Sequence, residues 1–254
     1  MFSRGVIRPL SRRFIHTVPK LSNHTVWSKK GIEGLLSQKG YKTAWTDYQR
    51  YLLTNLTLLT NGTALELRSP YETLLHTVKQ TTQQHVFHYA SMAHNNHLFF
   101  EQLADKDEAK STAPSRFIME KLVHEDISDV ELFRETMLGI AERSHGQGWV
   151  FLVETADKKL KFINCHNDGT PYYYAKAQLL DLNGGLTEGD YVALEDLKTR
   201  AENDEQDFTL PLMAINYWDY MYIEDYGVTG KSTYLNKLWD HINWDVINKR
   251  MFRL

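Results

Sequence analysis

A second cysteine is missing. Cys165 is the single thiol in the chain, so no intrachain disulfide can form, and packing and hydrogen bonds must hold the fold. That suits a reducing or matrix-like compartment. Long apolar runs are missing as well: a membrane-spanning helix needs roughly 18 to 20 apolar residues, and the greasiest stretch, Tyr51 to Leu65, is interrupted by Asn55 and by Thr60 to Thr63. Acidic residues are missing from the first 32 positions, although Asp and Glu number 32 in all. With 42% hydrophobic residues over 254 positions, disorder and a mini-protein fold are excluded. The length allows one large domain or two small ones, each with a buried core.

The amino terminus holds Arg4, Arg8, Arg12, Arg13 and Lys20 before any Asp or Glu. Arg4, Arg8 and Arg12 recur every four residues and share a helical face opposite Phe2, Val6 and Ile7, with Pro9 weakening a continuous helix. This is the composition of a mitochondrial presequence over residues 1–21; the plainer alternative is a basic tail on a cytosolic protein. Arg12-Arg13-Phe14-Ile15-His16-Thr17 also resembles the two-step matrix processing pattern that leaves Ser22 as the first residue. Removal of residues 1–21 leaves 24 Lys and Arg against 32 Asp and Glu, a formal net charge of −8. Such a chain is a poor general polyanion binder, because phosphate contacts need clustered cations. The late cluster Lys249, Arg250 and Arg253 confines any RNA contact to a local one.

Periodicity predicts a helix from about Gly31 or Thr43 to Thr60, carrying Trp45, Tyr48, Leu52, Leu56 and Leu59, with a cap at Asn61-Gly62. Ser69-Pro70-Tyr71-Glu72 opens a second helix by a capping box; it continues, with a break, to Leu103. Residues 104–115 read as a linker, so residues 22–115 form a helical hairpin. Residues 116–254 form the second domain. A capping box at Ser128 to Glu131 starts a helix with Val130, Phe133, Met137 and Ile140 on one face. Trp149 to Glu154 and Lys161 to Cys165 then read as a strand hairpin, and Leu210 to Ile215 as a third strand. The fold class is α+β, with a small three-stranded antiparallel sheet. An insertion at about 166–209, acidic from Glu188 to Asp207, is long enough to be a partner site. Tyr217 to Tyr226 and Ser232 to Ile247 read as aromatic-rich helices.

His85, His88, His94 and His97 crowd into thirteen residues, yet paired histidines make no transition-metal site without further donors. A polar helix face is the preferred reading; a metal site built from His85, His88 and His94 is the alternative. Gly227-Val228-Thr229-Gly230-Lys231-Ser232 lacks the spacing of a phosphate-binding loop. Cys165 and His166 point to opposite faces of a strand, so the thiol is a small buried group.

Taken in order, several motifs resemble the iron/manganese superoxide dismutases over nearly the whole mature chain. His94-Asn95-Asn96-His97-Leu98-Phe99-Phe100 is similar to that family's His-x-Asn-His-x-x-Phe, and Gly146-Gln147-Gly148-Trp149-Val150-Phe151-Leu152 to its Gly-Ser-Gly-Trp-x-Trp-Leu. Cys165-His166-Asn167 falls at its second strand. Pro211 to Tyr220 resembles its Pro-Leu-Leu-x-x-Asp-x-Trp-Glu-His, and Tyr234 with Trp239 to Trp244 resembles its last helix.

The resemblance implies metal ligands that this chain has lost. Of the matching positions only His97 keeps a histidine: the aspartate position is Asn216, the last histidine position is Tyr220, and the first-helix position falls at Gly40 or Tyr41. Asp168 stands at the outer-sphere glutamine position. The resemblance therefore implies neither cofactor nor small-molecule substrate, and it extends to the dismutase-like proteins of the fungal mitochondrial ribosome's small subunit, which pair with each other. The expected role is structural, in the matrix, among small-subunit ribosomal proteins including a dismutase-like paralogue, with Asp219, Tyr220 and Ile223 facing the partner. A matrix superoxide dismutase with a rearranged metal site is the competing expectation.

Overall fold

The computed structural model describes residues 15–172 and 209–251, together with residues 178–179, 195, 199 and 203. Most of the acidic stretch and Arg253 lie outside the described residues. The N-terminal half opens with α1 (His24–Lys30), which was not expected. Next comes a helical rod: α2 (Gln38–Tyr41), a π-helical stretch Lys42–Asp47, and α3 (Tyr48–Thr60). Ser37 caps the rod, its Oγ accepting from Gly40 N–H at 3.0 Å. Ala44, Trp45, Leu52, Leu53 and Leu56 form its buried stripe, and Gly62 stops it at a positive φ of 74° that disfavours any side chain.

The capping box at Ser69 holds in both directions and starts α4 (Pro70–Thr77), a contribution of about 1 kcal/mol. The expected break is a 3₁₀ turn at Thr81–Gln83, after which α5 (Gln84–Glu101) runs through the centre of the molecule. Residues 104–115 are less empty than a linker. They contain α6 (Lys106–Lys110), and Ser115 caps α7 (Arg116–Leu122). The next helix, α8 (Val130–Arg143), is capped by Asp129, whose carboxylate accepts from Leu132 N–H at 2.9 Å. The cap thus sits one residue after Ser128, whose hydroxyl donates to that carboxylate.

The sheet is antiparallel, in the order β3-β2-β1-β4. Its long strands β1 (Gly148–Glu154), β2 (Leu160–His166) and β4 (Leu210–Asn216) are the three expected ones, and a two-residue edge strand, β3 (Gln178–Leu179), joins β2. Every residue of β1 is buried, as a central strand covered on both faces requires. Gly148 is obligatory, because a Cβ there would lie 2.1 Å from the Cys165 carbonyl and 2.5 Å from the Tyr217 hydroxyl.

After β4 come α9 (Asp219–Tyr226), α10 (Lys231–Trp239) and α11 (Trp244–Met251). The single helix expected over Ser232 to Ile247 is broken at 240–243. There the backbone pairs with the end of α5 instead: Ala104 N–H donates to the His241 carbonyl and Asn243 N–H to the Gln102 carbonyl. The two halves are stapled again by Arg250, 5% exposed. It donates to the carbonyls of Leu98 (2.7 Å) and Leu212 (2.9 Å) and to Glu101 Oε2 (3.0 Å), capping α5 with a cation at its negative end.

Candidate functional site

The end of β4, the first turn of α9, the middle of α5 and the α3 rod converge on one buried point. Asn216 closes β4, and its Nδ2 donates to the Tyr220 hydroxyl at 3.0 Å. That hydroxyl donates to Asn96 Oδ1 at 3.3 Å. Asn96 Nδ2 donates onward to Gln49 Oε1 (3.0 Å) and to the Ala44 carbonyl (3.3 Å), and Gln49 Nε2 ends the chain on the Ala93 carbonyl at 2.9 Å. Asn216 Oδ1 accepts from Trp218 N–H at 3.0 Å, and its own carbonyl accepts from the Tyr234 hydroxyl at 2.9 Å. Asn96 and Asn216 are fully buried and Gln49 nearly so.

This is a neutral network of amides and phenols, with each amide oxygen and nitrogen on the path matched to a partner. A buried polar group so matched costs little, whereas a lone buried charge would be expensive. Tyr48 closes the site by laying its ring 4.2 Å from that of Tyr220. Burial pushes the Tyr220 hydroxyl well above the ordinary phenol range, with Tyr48 adding to it, so the group remains protonated.

The expected pair Asn216 and Tyr220 is therefore brought together, but His97 is not its third member. Asn96 takes that place. The His97 ring instead lies 6.0 Å from the Trp45 ring, where burial lowers its pKa and keeps it neutral. Gly40 and Tyr41 also face elsewhere: Gly40 leaves room for the Asp225 carboxylate, and the Tyr41 hydroxyl meets His24 Nδ1 at 2.9 Å. A π-helical stretch, Lys42–Asp47, follows them in the rod. Ala44, Tyr48 and Gln49 then face the centre. None of these was singled out for the site by sequence reasoning, and the one available signal, a polar glutamine on an apolar helical face, is weak.

The remaining candidates disperse. Asp168 stands away from the network, with its carboxylate on His88 Nδ1 (3.1 Å) and Gln84 Nε2 (3.3 Å). His94 Nε2 meets the Tyr172 hydroxyl at 2.8 Å, and burial, then His97 and Arg250, hold its pKa far below the usual imidazole value. His85 is exposed. Among the described residues no three His, Cys, Asp or Glu side chains stand close enough to hold a metal ion. Cys165 is buried, which raises its thiol pKa. Lys231 is a helix cap, donating to the Ser144 carbonyl at 2.8 Å and lying over the Tyr217 ring.

Of the residues expected at a partner, Asp219 is already engaged within the chain. Its Oδ2 accepts from Gln147 Nε2 and its Oδ1 from the Tyr222 hydroxyl, each at 2.7 Å. Tyr220 is half-buried, and Ile223 is 41% exposed.

A helical hairpin laid on an antiparallel sheet, with an amide-phenol cluster where β4 meets the helices, defines a dismutase-type scaffold. The family model for the iron/manganese superoxide dismutases, C-terminal domain, matches residues 115–183 and 187–250, and the chain belongs to that family. Among curated relatives, the small ribosomal subunit protein mS43 of Schizosaccharomyces pombe is 27% identical, over 93% of this chain and 84% of its own length. The small ribosomal subunit protein mS42 of the same organism is 24% identical, over 72% of this chain and 74% of its own length. The iron superoxide dismutase of Salmonella typhimurium is 22% identical, over 89% and 94% respectively.

The residues at the site do not fit the metal that the family name implies. Asn96 and Asn216 each spend an amide nitrogen as a donor inside the cluster, Tyr220 keeps its proton, and Ala44 offers only a backbone carbonyl already taken. Iron and manganese sites want imidazole and carboxylate donors.

Proposed function

We propose that this chain is a structural, non-catalytic constituent of the mitochondrial small ribosomal subunit, which supports translation through protein contacts. The observation that carries this reading is the neutral Asn216-Tyr220-Asn96-Gln49 network in place of a ligand set. The ribosomal names of two relatives that cover most of the chain support it. The basic amino-terminal segment acts as a presequence to the matrix. Contact with RNA is local, and the acidic stretch from Glu188 to Asp207 faces a basic protein. No membrane, cofactor or small-molecule substrate enters this role.

The chain pairs with a dismutase-like paralogue through the face that carries Asp219, Tyr220 and Ile223. Asp219 and Tyr220 shape that face from within, and Ile223 supplies its exposed apolar contact. Ile223→Asp is expected to weaken co-purification with the paralogue by about tenfold, the loss of one good apolar anchor, with the melting temperature unchanged. Unaltered pairing refutes this face.

The function is tested by fractionating a mitochondrial extract on a density gradient and assaying the purified chain for metal and dismutase activity. Metal-free, inactive protein travelling with the small subunit is the expected result. Stoichiometric iron or manganese with activity, in ribosome-free fractions, overturns the reading in favour of a working dismutase.

A further inference from the structure

Residues 15–21 belong to the expected presequence, yet they are packed into the body of the protein. His16 is 7% exposed and lies on α3. Its backbone N–H donates to Thr57 Oγ1 at 3.3 Å, and its Nε2 lies 3.2 Å from Thr60 Oγ1. Both threonine hydroxyls already donate, at 2.8 Å, to the carbonyls of Leu53 and Leu56 in the preceding turn. Their oxygens can therefore only accept from His16, which puts a proton on its Nε2. Burial lowers the His16 pKa and favours the neutral ring with that proton on Nε2.

The residues that follow do the same. Val18 packs against the core and Leu21 is 7% exposed. Ile15, His16, Thr17 and Pro19 form one wall of a cavity of about 490 Å³ whose other wall includes Leu53 and Tyr71. The charge pattern breaks at the same place: Arg4, Arg8, Arg12 and Arg13 all precede residue 14, and Lys20 is the single cation from 15 to 21. Targeting chemistry stops where the packed segment starts.

We infer that the processing cut falls immediately before Phe14 or Ile15, and that residues 15–21 remain in the mature protein as a strap across α3. This rests on the presequence reading but moves the cut by seven or eight residues from Ser22. The step is a hydrolysis by a matrix processing peptidase. One peptide C–N bond breaks, the hydroxyl of water goes to the carbonyl carbon of the preceding residue, and its proton goes to the new amino terminus. A cut before Ser22 would take away the partners of Thr57 and Thr60 and strip Leu21 from the core.

Mass spectrometry of the amino-terminal peptide of the chain isolated from mitochondria tests this. A terminus at Phe14 or Ile15 is the expected result. A terminus anywhere from His16 to Ser22 overturns it and leaves the presequence reading intact, whereas retention of Met1 overturns both. A second measurement reads the strap itself: a chain begun at Ser22 should melt about 5 °C or more below one begun at Ile15, since two buried side chains and two hydrogen bonds are lost. Equal melting temperatures overturn the strap.

Discussion

Asn216→Asp puts in the acid that the resemblance implies at this position, and it should damage the protein. Asn216 is fully buried and gives its Nδ2 proton to Tyr220 at 3.0 Å. An aspartate cannot donate. The Tyr220 hydroxyl would turn towards the new carboxylate and leave Asn96 Oδ1 without its donor, a loss of roughly 1–2 kcal/mol. Among the described residues, the hydrogen-bond partners of Asn216 include no cation. A carboxyl buried in this way has its pKa raised by about 3 units, and at about 1.4 kcal/mol per unit this adds roughly 4 kcal/mol at neutral pH. The sign follows from proton uptake: the folded state holds its proton more tightly than the unfolded one. The variant is therefore least handicapped below the unfolded pKa near 4, and its deficit grows as pH rises to about 7. Urea titrations of both proteins at pH 4.5 and pH 7.5 read the difference. The expected deficit is about 2 kcal/mol at the lower pH and about 5–6 kcal/mol at the higher one. A deficit below about 1 kcal/mol that does not change with pH refutes the buried network. Rescue of stability by added manganese refutes the claim that the site has no use for a metal.

Two more outcomes follow from buried groups elsewhere. Arg250→Met removes the donor that ties Leu98, Leu212 and Glu101 together; it should cost about 3–5 kcal/mol in chemical denaturation because it leaves buried acceptors unmatched. Replacement at a cost under 1 kcal/mol would show that the staple contributes little. His94 is kept neutral by burial, so the unfolded chain takes up the proton first, and stability should fall as pH drops below about 6.5. His94→Gln should flatten that fall between pH 6.5 and pH 4.5 by about 1–2 kcal/mol, and an unchanged pH profile would place the acid sensitivity in other groups.

Much of the scaffold is legible in local sequence because its signals are local. Ser69 to Glu72 is a capping box in the sequence and in the structure. The three long strands fall within a residue of the expected runs, since continuous apolar stretches bounded by polar turns leave few alternatives. Short helices such as α1 and α6 escape because one or two turns carry too little periodicity, and the break at 240–243 escapes because its cause is a backbone pairing with residues 102–104.

At the site, the sequence by itself determined that an amide, Asn216, and a phenol, Tyr220, stand where the resemblance implies an acid and a histidine. Which side chains meet in the buried cluster was decided only by tertiary structure. The rod turns Gly40 and Tyr41 away from the cluster and presents Ala44, Tyr48 and Gln49 to it. The facing of α5 put Asn96 rather than its neighbour His97 against Tyr220. A helix turns its side chains by about 100° per residue, so a change of one residue moves a group from the centre of the site to its outside, and only the packing of one helix on another settles which residue that is.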